Sequence, residues 1–147
     1  MRHPKPKRFY PQNPQKYYGN VDNIICRSRL EKRFFDRFDS SPSVIGWGSE
    51  EISIPYFNPL DKDWHHYFPD NILKVKRSNG EIRKILIEIK PKAFCSPPKK
   101  PKRANRRYVM LVQDYIRNHS KWLAARAWCL EHHCEFQILT EEDLRLK

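Results

Sequence analysis

The sequence lacks the usual means of reaching a membrane. No apolar run approaches the roughly 20 residues of a bilayer-spanning helix, no charged-then-apolar leader opens the chain, and neither an acylation signal nor a basic amphipathic helix is present. Its four cysteines, Cys26, Cys95, Cys129 and Cys134, have no C-x-x-C spacing, so a reduced, cytosolic, non-secreted protein is expected. There is no internal repeat. Acidic residues are scarce: 17 Asp and Glu stand against 29 Lys and Arg, a formal charge of +12. That excess opposes compaction, because like charges repel, but it draws polyanions across a Debye length of about 10 Å. Nucleic acid is the polyanion this composition favours, ahead of an anionic membrane.

What is present fits one domain, since 147 residues with 39% hydrophobic content can build a single core. Residues 1–16 mix prolines with Arg2, Lys5, Lys7 and Arg8 and show no periodicity. They read as an extended basic arm along a phosphate backbone or a protein partner, or as a merely solvating tail. The folded domain is then 17–147, entered through a turn at Tyr17-Tyr18-Gly19-Asn20. Leu30, Phe34 and Phe38, widened by Phe35, predict a helix over about 28–38, with Glu31 at the edge of the buried stripe. Val44 to Trp47 suits a short strand or connector. Ile52, Ile54 and Tyr56 alternate in a half-buried strand that Pro55 and Asn58-Pro59-Leu60-Asp61 should stop. Trp64 to Phe68 suits the next strand. Ser78-Asn79-Gly80 between two β-rich runs, 72–76 and 82–89, signals a hairpin. A basic, proline-containing loop follows at 92–107, then two helices broken near Asn118-His119-Ser120. Tyr108, Leu111, Val112 and Tyr115 line the first of these, and Trp122, Leu123, Arg126 and Leu130 the second. A strand over 134–139 and a helical turn capped by Thr140 close the chain. This order predicts an α/β fold with a mixed central sheet flanked by helices.

The chemistry concentrates between Pro69 and Lys90. Glu88 and Lys90 share one face of a strand whose other face is Ile87 and Ile89. Asp70, Glu88 and Lys90 are the inventory of a phosphodiester-cleaving site: oxygen ligands for a hard cation and an ammonium for developing charge. The Ile89 carbonyl would add a neutral oxygen. Register sets a condition. With Asn79-Gly80 as a two-residue loop, Asp70 would oppose Ile89 and turn away from Glu88. The site therefore requires an odd-length loop or a bulge that sets Asp70 against Glu88, and Gly80 suits a bulged three-residue loop. Without it, these residues are ordinary surface charges.

Together Ser28-Arg29-Leu30-Glu31, Pro69-Asp70 and Glu88-Ile89-Lys90 resemble the PD-(D/E)xK nuclease superfamily. More narrowly, Ser49-Glu50-Glu51-Ile52, Ile54-Pro55-Tyr56, Tyr67-Phe68-Pro69-Asp70, Leu86 to Pro91, Lys121-Trp122 and Phe136 to Glu141 are similar to the head completion nucleases of T-even-type tailed phages. A more distant likeness is to the transposon subunit that cuts the 5′ ends of a mobile element. The resemblance implies a restriction-endonuclease-like core and Mg²⁺-dependent cleavage of double-stranded DNA, endo- or exonucleolytic, with Mn²⁺ as a substitute ion. It implies Glu31 as the helical acid, Asp70, Glu88 and the Ile89 carbonyl as metal ligands, and Lys90 as the lysine. Its setting would be the capsid neck vertex of the virion, and the host cytoplasm during assembly, with portal or neck proteins as partners and no membrane. Asn71 departs from the pattern, standing where an aromatic residue is usual.

Several alternatives stand beside this reading. Glu50 or Glu51 competes with Glu31 as third acid, and Glu31 is favoured. His65-His66 and His132-His133 with Cys129 and Cys134 tempt a zinc site, which we reject because adjacent histidines do not converge easily on one ion. Gln113 is expected to be an exposed glutamine. Lys92, Lys99, Lys100, Lys102, Arg103, Arg106 and Arg107 are the expected DNA contacts, carrying affinity with little sequence preference. The non-enzymatic alternative is a basic plug or adaptor at the portal vertex.

Overall fold

Strand alternation and one helical stripe create apolar faces that must be covered. A computed structural model of the chain, describing residues 5–145, shows how. Strands Lys7–Arg8 (β1), Tyr17–Tyr18 (β2) and Ile25–Cys26 (β3) lead to helix Arg29–Ser40 (α1) and strand Val44–Ser49 (β4). A ribbon of Ile54–Asn58 (β5) and Asp63–Tyr67 (β6) precedes the hairpin Asn71–Lys76 (β7) and Ile82–Ile89 (β8). Helix Arg106–Glu131 (α2), strand Glu135–Leu139 (β9) and a 3₁₀ turn over Glu141–Leu144 follow. The main sheet runs β2-β4-β7-β8-β9, with parallel pairs at both edges and antiparallel pairs within, so the expected mixed α/β sheet is present.

The two sheet faces have different covers. On one, Phe34, Phe35 and Phe38 of α1 pack on Trp47, Leu73, Ile85, Ile87 and Ile89. On the other, Leu86 meets Trp122, Ala125 and Cys129 of α2 and Ile54, Tyr56 and Tyr67 of the ribbon. Ser28 starts α1 by accepting the Glu31 N–H at 3.0 Å, the N-cap bond that an isolated helix end lacks. Thr140 caps the last turn with a reciprocal capping box.

Four expectations are corrected. Residues 5–16 are tied to the fold instead of forming an extended arm: Phe9 is 5% exposed, edge-on to Phe35 and Trp47 at 5.7 Å each. Buried Asp39 accepts from the Gln12 and Asn13 N–H groups, and the Lys16 ammonium satisfies the carbonyls of Phe38, Asp39 and Ser41 where α1 ends. Residues 1–4 of the expected arm lie outside the described residues. Tyr17-Tyr18 is an edge strand, not a turn. Pro55 sits inside β5, opposite His66, because a two-stranded ribbon leaves outward N–H positions unpaired and a missing donor costs nothing there. Residues 106–131 form one helix. Asn118-His119-Ser120 lowers helix propensity but contains no Gly or Pro, and the Ser120 hydroxyl bonds back to the Ile116 carbonyl at 3.0 Å.

If Phe9 is core, Phe9→Ala should lower unfolding free energy by about 3 kcal/mol in urea titrations. A loose arm would instead give a change within about 0.5 kcal/mol, as for ordinary surface substitutions.

Candidate active site

The β7–β8 register decides whether a site exists. Asn71 faces Ile87 and Lys76 faces Ile82, and the next rung is Arg77 with Glu81, closed by the Arg77 N–H to the Glu81 carbonyl at 2.8 Å. The loop is therefore Ser78-Asn79-Gly80, three residues, with Gly80 at φ +86°, a conformation glycine adopts without steric cost. Extending the register one step beyond Asn71 puts Asp70 opposite Glu88, as the sequence condition required. The ladder itself ends at Asn71. Pro69, just before Asp70, has no N–H with which to extend it towards the Ile89 carbonyl. The Ile89 N–H turns to Asp70 Oδ2 at 2.7 Å.

Glu88 is buried and Asp70 is partly so. Glu88, 7% exposed, accepts a hydrogen bond from the Tyr67 hydroxyl on Oε2, and its Oε1 lies 3.6 Å from the Lys90 ammonium. Burial raises the pKa of Asp70 well above the carboxylate range, with the Glu88 charge adding to it; the Ile89 N–H and Lys90 only partly oppose this. Burial likewise raises Glu88, against the pull of Tyr67, Lys90 and Lys121. Two such carboxylates repel and hold a proton to higher pH than either would alone. A divalent cation reverses that logic, because it stabilises both anions at once.

The donors fit a hard ion. Two carboxylates and a carbonyl without a ladder partner are oxygen ligands of the kind Mg²⁺ takes while keeping several waters. Among the described residues no three His, Cys, Asp or Glu side chains gather closely enough to hold a metal together, so Glu31 does not join Asp70 and Glu88 in one side-chain triad. Glu31 stands nearby. It caps backward onto the Arg27 N–H, its pKa is raised by burial, and it lines a cleft of about 940 Å³ together with Lys90. Glu50 instead pairs with Arg27 at 2.9 Å, and neither it nor Glu51 is on the cleft wall.

The basic loop divides. Lys99 and Arg107 line the cleft, whereas Lys92 is bound to Glu142 at 2.8 Å. Lys100, Lys102, Arg103 and Arg106 are exposed off the wall, and Gln113 is exposed. His65 pairs with Asp61 at 2.6 Å and His66 bonds to Ser53, both on the ribbon. Asn71 is 1% exposed and donates to the Gly48 carbonyl, filling its place between β4 and β8 with a polar contact. Sequence reasoning did not single out three cations of the cleft, Arg27, Arg117 and Lys121, as site residues. One signal was available for Lys121. Leu111, Tyr115, Asn118, Trp122 and Ala125 set the inward stripe of α2, and a lysine beside Trp122 falls at its edge.

A mixed sheet flanked by helices, with paired acids and a lysine at the end of its central hairpin, defines an endonuclease-like α/β domain. Residues 41–141 match the family model described as TnsA-like endonuclease N terminal. The chain is also 37% identical over 142 residues to the head completion nuclease of Enterobacteria phage T4, covering 94% of this chain and 92% of that protein. The chain belongs to this TnsA-like endonuclease family.

Asp70→Asn tests the electrostatics. An acid whose folded pKa is raised loses stability as pH rises from its unfolded value, about 3.9, through the folded one, because the native state holds the extra proton. The substitution should therefore raise the melting temperature in EDTA and flatten its fall as pH rises above about 4. An unchanged pH profile would mean that Asp70 is not in a repelling pair.

Proposed function

We propose that the chain is a metal-dependent deoxyribonuclease that finishes DNA-filled phage heads so that a tail can join. The observation that supports it most directly is the odd hairpin loop, which sets Asp70 against Glu88 on the face that carries Lys90. Asp70, Glu88 and the Ile89 carbonyl would hold a divalent ion, which would supply Lewis acidity and neutralise phosphate charge. The chain's residues do the rest. Tyr67 fixes the orientation of the Glu88 carboxylate, Lys90 stabilises charge beside it or poises the attacking water, and Glu31 orients water at the cleft edge. Lys99, Arg107 and Arg117 hold the phosphate backbone without reading bases, which fits cleavage of little sequence preference. Portal or neck proteins would be the partners at the vertex.

A supercoiled plasmid incubated with Mg²⁺, Mn²⁺ or EDTA tests this reading. Cleavage should require a divalent ion, and Asp70→Ala or Lys90→Ala should lower it by about 10³-fold while DNA affinity stays within about threefold. Cleavage surviving both substitutions removes the assignment. Salt-sensitive binding without nicks under either ion would leave a basic plug at the vertex. Lys99→Ala with Arg107→Ala should reduce the slope of log K against log salt by about 2, one for each lost phosphate contact.

A further inference from the structure

Lys121 has no role in the reading above, yet its surroundings are those of a functional cation. Its ammonium lies 5.8 Å from the ring centroids of both Tyr56 and Tyr67, and it lines the cleft with Lys90. Among the described residues the ammonium has no hydrogen-bond acceptor and no carboxylate in ion-pair range, whereas Lys90 stands 3.6 Å from Glu88. Burial pulls the Lys121 pKa below the usual lysine range, and the charge of Glu88 pulls it back. Two ring faces compensate only part of the hydration a half-buried ammonium gives up. A purely structural seam between α2 and the ribbon would be served as well by an apolar residue, as it is next door at Trp122 and Ala125.

We propose that Lys121 is a second catalytic lysine, which holds the negative charge developing on the leaving oxygen of the scissile phosphodiester. The proposal rests on Asp70, Glu88 and Lys90 being the hydrolytic centre. In that reaction a water oxygen bonds to phosphorus as the bond from phosphorus to one sugar oxygen breaks. The electron pair stays on the sugar oxygen, and the proton shed by the water returns to it through solvent. Attacking and leaving oxygens lie on opposite sides of phosphorus, so one ammonium does not reach both. The chain provides two, from different elements: Lys90 follows β8 on the sheet, and Lys121 reaches in from α2 across the aromatic floor. Tyr67 links them, since its ring carries Lys121 and its hydroxyl holds Glu88.

Single-turnover cleavage of a duplex with one scissile linkage, carrying either oxygen or sulfur at the leaving position, tests the role. Lys121→Met should cut the oxygen substrate about 10²- to 10³-fold more slowly, the usual loss of one transition-state charge stabiliser, with affinity changed less than about threefold. A thiolate leaves without such help, so the sulfur substrate should lose less than about tenfold, and Lys121→Arg should recover part of the oxygen rate. Lys121→Gln carries the same comparison should the Met variant fail to fold. Wild-type rates in the Met variant, or an equal loss on both substrates, would overturn the proposal and reduce Lys121 to a packing residue. Asp70→Ala, run in parallel, separates the two levels. If it still cleaves, the centre itself is misplaced and the Lys121 role falls with it; if it is inactive while Lys121→Met is not, only the Lys121 role falls.

Discussion

The register of one hairpin governs everything chemical in this domain. Side chains alternate across a strand, so a shift of a single residue between β7 and β8 would send Asp70 to the α1 face while leaving Glu88 on the α2 face. The three-residue turn prevents that shift, and Gly80 makes the turn cheap because it takes a positive φ without Cβ strain. Pro69, just before Asp70, has no N–H with which to carry the ladder on to the Ile89 carbonyl. A turn and a proline, nine residues from each other at their nearest, thus prepare the same pair of oxygens.

Holding two acids close together, one buried and one partly so, sets their electrostatics. Each carboxylate loses hydration, which raises both pKa values, and the Glu88 charge raises Asp70 further. The surrounding donors reduce this penalty unequally: Glu88 has Tyr67, Lys90 and Lys121, whereas Asp70 has mainly the Ile89 N–H. Without a cation, the pair therefore keeps a proton to higher pH than an isolated carboxylate would. In the proposed function, a divalent ion held there would also stabilise the fold, since it would remove the repulsion that folding creates.

Much of this was legible in the sequence, because it rests on local rules. Alternation locates β7 and β8, the Ser78-Asn79-Gly80 turn signals the hairpin, and the need for Asp70 to meet Glu88 sets the loop parity. The failures lie where tertiary contacts override local signals. Prolines and lysines near the start suggested a free arm, but a single Phe9 and the buried Asp39 give that segment a place. Asn118-His119-Ser120 looked like a break because propensity is additive in a sequence. In the molecule the downstream turns are anchored by Trp122, Ala125 and Cys129. Lys121 was missed for a related reason. Its partners, Tyr56 and Tyr67, are remote in the chain, and no spacing rule connects them.

The anchoring of α2 also bears on how the cleft works. The helix is about 39 Å long, yet its fully buried residues, Trp122, Ala125 and Cys129, all lie in its second half. Upstream, Tyr108, Leu111 and Tyr115 face the cleft and complete one wall of it. An isolated helical stretch of that length is marginal in water, so the wall has little of its own packing to resist displacement. Substrate in the cleft would supply the missing contacts, and a wall that adjusts to its ligand suits a nuclease reading backbone shape. A cation that must meet one leaving oxygen needs the opposite property. Lys121 immediately precedes the first buried anchor, Trp122, so it stands where the helix stops being adjustable and becomes part of the core.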